Sequence, residues 1–250
     1  MPRCRDVKKS EQLYDDSEAP GEDFVKQLLV FAVACVFLAP VVFAGSSSDD
    51  TIATGQGSLT FHPVEHATFV MKWNGTTIAV DPIGGEGPYK AFGKADLILI
   101  THPASVAEKF PEVDRGRITV VANGESVNWG ESIIEAIPMY NLAPDRKDFH
   151  PKGRGNGYVV TLGGTRIYIA GDTEDIPEMR ALEDIDAAFV CMNLPYTMDV
   201  AAAADAVLEF KPQVVFPYHY RGKGGMSDLD RFSALVAANP NIEVRLLQWY

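Results

Sequence analysis

The sequence is short of cysteine, of histidine and of basic residues, and each shortage excludes something. Its 250 residues include 3 Cys, at positions 4, 35 and 191. These are too few and too scattered for a disulfide framework or a thiolate metal cage. Lys and Arg number 22 against 34 Asp and Glu, a net charge of −12. Phosphate backbones need a positive field, so no nucleic-acid partner is expected. Gly and Pro are held to 21 and 16 while 46% of residues are hydrophobic, which excludes a disordered or collagen-like chain. Imidazole chemistry is left to His62, His66, His102, His150 and His219.

The first fifty residues read differently from the rest. Residues 1–27 are polar and mixed in charge, residues 28–44 (LLVFAVACVFLAPVVFA) carry no charge, and residues 45–56 read as a polar linker. The uncharged run lies at the short end for a bilayer-spanning helix and slightly beyond a signal-peptide core. Arg3, Arg5, Lys8, Lys9 and Lys26 precede it, and no Lys or Arg follows until Lys72. The positive-inside rule then places the following domain, residues 57–250, on the far side of a membrane. The expectation is a signal peptide or membrane anchor and an exported domain, secreted or anchored, on the periplasmic or extracellular side.

Beyond residue 57 short apolar runs alternate with turn signals. Residues 68–73 and 77–80 flank Asn74-Gly75, a strong hairpin signal, and residues 158–162 and 166–170 flank Gly163-Gly164. Residues 96–101, 118–121, 133–137, 187–192, 214–217 and 244–247 read as further strands, and 200–210 and 227–238 as helices. A hairpin-rich first half and an alternating second half predict an α/β sandwich with mixed sheets.

Three of these strands end in a group able to hold a metal: His102, Asp172 and His219. Strand ends face a shared crevice in α/β folds, and two imidazoles with a carboxylate suit zinc or a similar divalent ion. The stretches 62–82, 96–102, 137–141, 149–179, 192–198 and 216–222 together resemble metallo-β-lactamase-fold hydrolases, in the branch of the lactonase-like and N-acyl-phosphatidylethanolamine phospholipase D-like members. The resemblance implies a four-layered αββα sandwich with one or two Zn2+, Mn2+ or Fe2+ ions at a sheet edge. It implies His102, Asp172 and His219 as metal ligands, Asp172 bridging and orienting a metal-bound hydroxide as the catalytic carboxylate. Asn141 occupies a position where many relatives carry a histidine ligand. His150 and His66 are expected on the same crevice, as further ligands or substrate contacts, and Asp81 as a structural tie. Lys152, Arg154, Tyr196 and Arg221 are candidates for binding a polar or anionic group of a small-molecule or lipid-like substrate.

The family motif H-x-H-x-D-H is broken. After His102 the chain has Ala104, Val106 and Ala107 in place of His, Asp and His. Residues 103–111 instead resemble a segment that follows the motif's helix and strand in relatives, so one helix and strand are expected to be missing after residue 102. A parallel crossover needs about a dozen residues or more, which fits such a loss. The resemblance thus implies an exported hydrolase of an ester, lactone, amide or phosphodiester; the broken motif implies instead a catalytically inactive, membrane-attached binding or scaffold protein. The nucleotide sequence across codons 102 and 103 tests the missing block. An intronless, continuous frame there excludes a gene-model error.

Overall fold

The computed structural model describes residues 48–83, 87–102 and 124–250. The expected export segment, the strand expected at 118–121 and the residues following His102 lie outside the described residues. Among the described residues no helix is long and apolar enough to cross a membrane.

Two sheets make the frame. The first has five strands in the order β1 (Asp50–Thr54), β2 (Gly57–Glu65), β3 (Thr68–Trp73), β4 (Thr76–Val80) and β5 (Leu97–Leu99). The second contains β6 (Ser126–Trp129), β7 (Ser132–Met139), β8 (Gly155–Leu162), β9 (Thr165–Ile169), β10 (Ala187–Cys191), β11 (Val214–Tyr218) and β14 (Glu243–Val244), in the order β14-β11-β10-β9-β8-β7-β6. A small hairpin pairs β12 (Arg221–Gly222) with β13 (Gly225–Met226). Residues 50–54, expected as linker, form β1: they alternate half-buried and exposed and pair along their whole length with β2. That is the pattern of an edge strand with one face on the core.

The sheets meet face to face through aromatic rings. Phe69 and Phe189 stack at 4.4 Å, Phe61 sits 5.0 Å from Phe189, and Phe189 stacks on Phe216 at 4.9 Å. All four rings are fully buried, each contributing about 1.5–3 kcal/mol by removal from water. On the outer face of the second sheet, α2 (Val200–Phe210) lays Phe210 against Tyr168 of β9. Asp199 caps α2 by accepting from Ala202 N at 2.8 Å, and α3 (Leu229–Val236) is capped in the same way by Asp228. A short helix, α1 (Pro177–Arg180), is anchored where Arg180 pairs with Asp175, Asp205 and Glu209. This layered α/β sandwich is the expected fold class.

Strand direction decides where polar residues collect. β4 pairs with β5 in parallel, and β9, β10 and β11 are mutually parallel. β2 and β7 run with them, each two antiparallel steps away. Their C-terminal ends therefore share one edge of the sandwich. Close approach at that edge needs glycine: a Cβ on Gly155 would overlap Thr101 O and the Met139 side chain. Gly171 meets the same two residues and adopts φ +68°, the left-handed region that glycine enters without cost.

Asp81 ties the two sheet-end loops of the first sheet together, as expected from sequence. Its carboxylate accepts from Thr101 N at 2.7 Å and from the Thr101 hydroxyl at 2.5 Å. Its own backbone is left-handed, φ 42°. Asp81→Ala strands the buried Thr101 donors and is expected to cost about 2–4 kcal/mol in urea unfolding. Asp81→Asn, which tolerates the backbone, is expected to cost less.

Candidate metal centre

The shared edge holds a cavity of about 320 Å³ lined by His66, His102, Phe149, His150, Arg154, Asp172, Asn193, Tyr196, His219 and Arg221. Asp172, just past β9, stands at its centre. Its Oδ1 accepts from His219 Nδ1 at 2.7 Å, while His150 Nε2 lies 3.8 Å from Oδ2. Burial pushes the Asp172 carboxyl up, but the imidazoles of His219, His150 and His102 outweigh it and hold the group below its ordinary range.

His219, at the end of β11, has its protonation geometry set by neighbours. The Thr197 hydroxyl donates to Asn193 Oδ1 at 2.5 Å, which turns the Asn193 amide N–H toward His219 Nε2 at 3.1 Å. Nε2 therefore accepts, and the ring's proton sits on Nδ1, facing Asp172. Burial pulls the His219 ring down, and the Asp172 carboxylate more than reverses it. His219 N donates to His66 O at 3.1 Å, so the two loops are joined by backbone. Both residues are left-handed, φ 44° and 55°, a conformation that costs non-glycine residues about 1–3 kcal/mol each and is typical of functional sites.

His66 is already engaged. Its Nε2 faces the Arg221 guanidinium at 2.5 Å and its Nδ1 the Tyr250 hydroxyl at 3.2 Å, and Arg221 lies 4.4 Å over the Tyr250 ring. Burial and the Arg221 charge both hold His66 below its ordinary value. His102 and His150 present the opposite situation. Their rings meet edge to face at 5.5 Å, and His102 Nε2 and His150 Nδ1 are buried with no hydrogen-bond partner. Burial lowers both rings from their ordinary value.

The remaining sequence-derived candidates divide. Arg154 and Tyr196 line the cavity, Tyr196 with its ring edge-on to Phe149 at 5.3 Å. Lys152 stands apart from the cavity lining: it pairs with Glu178 at 2.8 Å and lies 4.4 Å over the Tyr140 ring. Glu178 lies 26 residues further along the chain, so nothing local in sequence pairs the two. Asn141 serves as a clasp. Its Nδ2 donates to Arg146 O at 2.9 Å and Tyr196 O at 2.7 Å, and its backbone N donates to His150 O. Asn193 was missed, although it follows the apolar strand β10 as His102 follows β5. Tyr250 carried no sequence signal.

The donor types suit a divalent ion. One low-lying carboxylate and several imidazoles converge on a single cavity, and two buried imidazole nitrogens want a partner. Among the described residues no group of three His, Cys, Asp or Glu side chains is already arranged to hold a metal. The hydrogen bond between Asp172 and His219 is the contact that an ion would exchange.

Residues 59–219 match the family model described as the β-lactamase superfamily domain. The chain belongs to that superfamily. This superfamily domain is 31% identical over 170 residues to a UPF0173 metal-dependent hydrolase from Pyrococcus abyssi, covering 66% of this chain and 73% of that one. It is 26% identical over 216 residues to a UPF0173 metal-dependent hydrolase from Anaeromyxobacter sp. strain K, covering 70% and 78%. Among solved structures, a Parabacteroides distasonis protein described as a metal-dependent hydrolase is 36% identical, covering 80% of this chain and 99% of that one, with a TM-score of 0.70. The superfamily implies a metal cofactor.

The loop that carries Phe149 and His150 is pinned from below by Glu174, whose carboxylate accepts from Leu142 N at 2.6 Å, from Ala143 N at 2.7 Å and from the Arg146 guanidinium. Glu174→Ala removes all three bonds. It is expected to cost about 2–4 kcal/mol in denaturant unfolding and to speed amide exchange across residues 142–149.

Proposed function

We propose that this metal-dependent hydrolase is exported, works with a single ion, and acts on an ester, lactone, amide or phosphodiester that carries an anionic group. The observation that carries the reading is the charge arrangement of the cavity, which Asp172, Arg154 and Arg221 all line. Among the described residues Arg154 has no ion pair, and Arg221 stands 3.7 Å from Glu65. A cationic wall on a chain of net charge −12 is a local feature with a specific use, since guanidinium groups bind carboxylate and phosphate through paired N–H donors.

His102, Asp172 and His219 would hold the ion, which supplies Lewis acidity and lowers the pKa of water; Zn2+, Mn2+ and Fe2+ all suit the donors. Asp172 is placed to accept a proton at Oδ2, while its Oδ1, hydrogen-bonded to His219 Nδ1 at 2.7 Å, would turn to the ion. Arg154 would fix the substrate's anionic group, Tyr196 and Phe149 its apolar part. Export rests on the uncharged run at residues 28–44 and the basic residues before it.

A second reading, a catalytically inactive membrane-attached binding or scaffold protein, is favoured by Ala104, Val106 and Ala107 in the motif and by the lack, among the described residues, of a ready three-ligand arrangement. Kinetics on a matched pair of esters, one anionic and one neutral, separates the two. Arg154→Gln is expected to raise KM for the anionic ester roughly tenfold, the worth of one charged hydrogen bond, and to leave the neutral ester unchanged. No turnover of either ester by metal-loaded protein favours the scaffold.

A further inference from the structure

We infer that the edge of the sandwich opposite the metal centre carries a binding site for a neutral saccharide, built around Trp129. The two sites share no residue, so either assignment can fail without the other.

Two cavities meet at the N-terminal ends of β4, β5 and β7. Asn74, Thr76, Asp96 and Trp129 line one of about 450 Å³. Asn74, Thr76 and Trp129 also line the second, of about 290 Å³, together with Glu131 and Ser132. The shared residues make the two a single groove that spans both sheets. Strand β7 runs 8 residues from this edge to the other, a separation of roughly 25 Å from the metal centre.

The groove is built on tight turns. Trp73 pairs with Thr76 across Asn74-Gly75, and Trp129 pairs with Ser132 across Gly130-Glu131, so two-residue hairpins fix the lining side chains. The two tryptophans at these turns have different fates. Trp73 is buried and its Nε1 donates to Thr54 Oγ1 at 3.1 Å. Trp129 packs only in part against the core and is half-exposed in the groove. Among the described residues its indole N–H has no hydrogen-bond partner.

A sugar ring has a face of C–H groups that packs on an indole and a rim of hydroxyls that donate and accept. The groove offers the counterpart of both. Beside the Trp129 ring, the Asn74 amide donates and accepts, the carboxylates of Asp96 and Glu131 accept, and the hydroxyls of Thr76 and Ser132 do either. Thr77 N donates to Asp96 Oδ2 at 2.9 Å, which holds that carboxylate in place. Ser132 is 2% exposed, and among the described residues its hydroxyl has no partner.

Other ligand classes fit less well. Two carboxylates and, among the described residues, no Lys or Arg line the groove, which repels phosphates and carboxylates. An ammonium ion seeks several aromatic faces and acceptors only. Here one ring is open, and the amide and hydroxyl donors would face a cation with nothing to accept them. A neutral polyhydroxyl ligand uses the whole set.

The test is affinity electrophoresis of the full chain through native gels containing a soluble neutral glucan, xylan, mannan or galactan, followed by tryptophan fluorescence with the matching oligosaccharide. At least one polymer is expected to retard wild type and its oligosaccharide to shift the emission. Trp129→Ala is expected to weaken that affinity roughly tenfold or more. Should that variant fold poorly, Glu131→Ala, at an exposed turn, is expected to weaken it roughly threefold. Asp172→Asn, at the other edge, is expected to be retarded as wild type. The assignment is overturned by no retardation in any gel, by unchanged affinity in the folded groove variant, or by loss of retardation in Asp172→Asn. A fluorescence response to choline with none to any saccharide overturns it in favour of a cation site.

Discussion

A carboxylate largely withdrawn from water needs compensation, and the Asp172 site is the answer this fold gives. Moving such a charge out of solvent costs several kcal/mol even after relaxation. One hydrogen bond from His219 and the fields of His102 and His150 meet that cost. Each imidazole comes from a different strand end or loop, and together they hold the Asp172 carboxyl below its ordinary range. The hydrogen bonds behind them follow from the same requirement. Thr197 orients Asn193, Asn193 orients His219, and His219 orients toward Asp172.

The two sheets exist, in functional terms, to bring those ends within reach. Parallel pairing of β9, β10 and β11 sets Asp172, Asn193 and His219 side by side, and parallel pairing of β4 with β5 sets Asp81 beneath Thr101. Cross-links then lock the edge: Gly171 N donates to the Tyr218 hydroxyl at 2.8 Å, and the Tyr158 hydroxyl donates to Ile100 O at 2.7 Å. The aromatic stack beneath tolerates little change in separation, since close-packed interiors do not yield to small displacements. Rigidity at the edge is thus inherited from the core.

Periodicity and turn chemistry made the frame legible. The Asn74-Gly75 hairpin, helix α2 and the apolar runs of β10 and β11 occur where the residues place them. The strand at 244–247 shrinks to β14 because only two residues find a partner on β11. Edge strands β1 and β6 carry half-exposed, weakly apolar patterns, which composition alone does not separate from linker. At the site, residue type and strand-end position pointed to His102, Asp172 and His219. Which groups were already spent did not show, because Glu178, Tyr250 and the carbonyls around Asn141 are distant along the chain or belong to the backbone. A side chain's availability depends on its neighbours in space, and one sequence does not contain that information.

Directly behind Asp172, at the end of β10, lies Cys191, fully buried, its thiol donating to Thr173 O at 3.4 Å. Burial pushes that thiol up to about 12, so in the folded chain it is neither ionised nor reachable, and alkylating reagents need both. Any label that enters at Cys191 records an opening of the strand that underlies the carboxylate. The protein therefore carries its own clock for local unfolding beneath the strand-end edge, one that runs without substrate, metal or engineered probe.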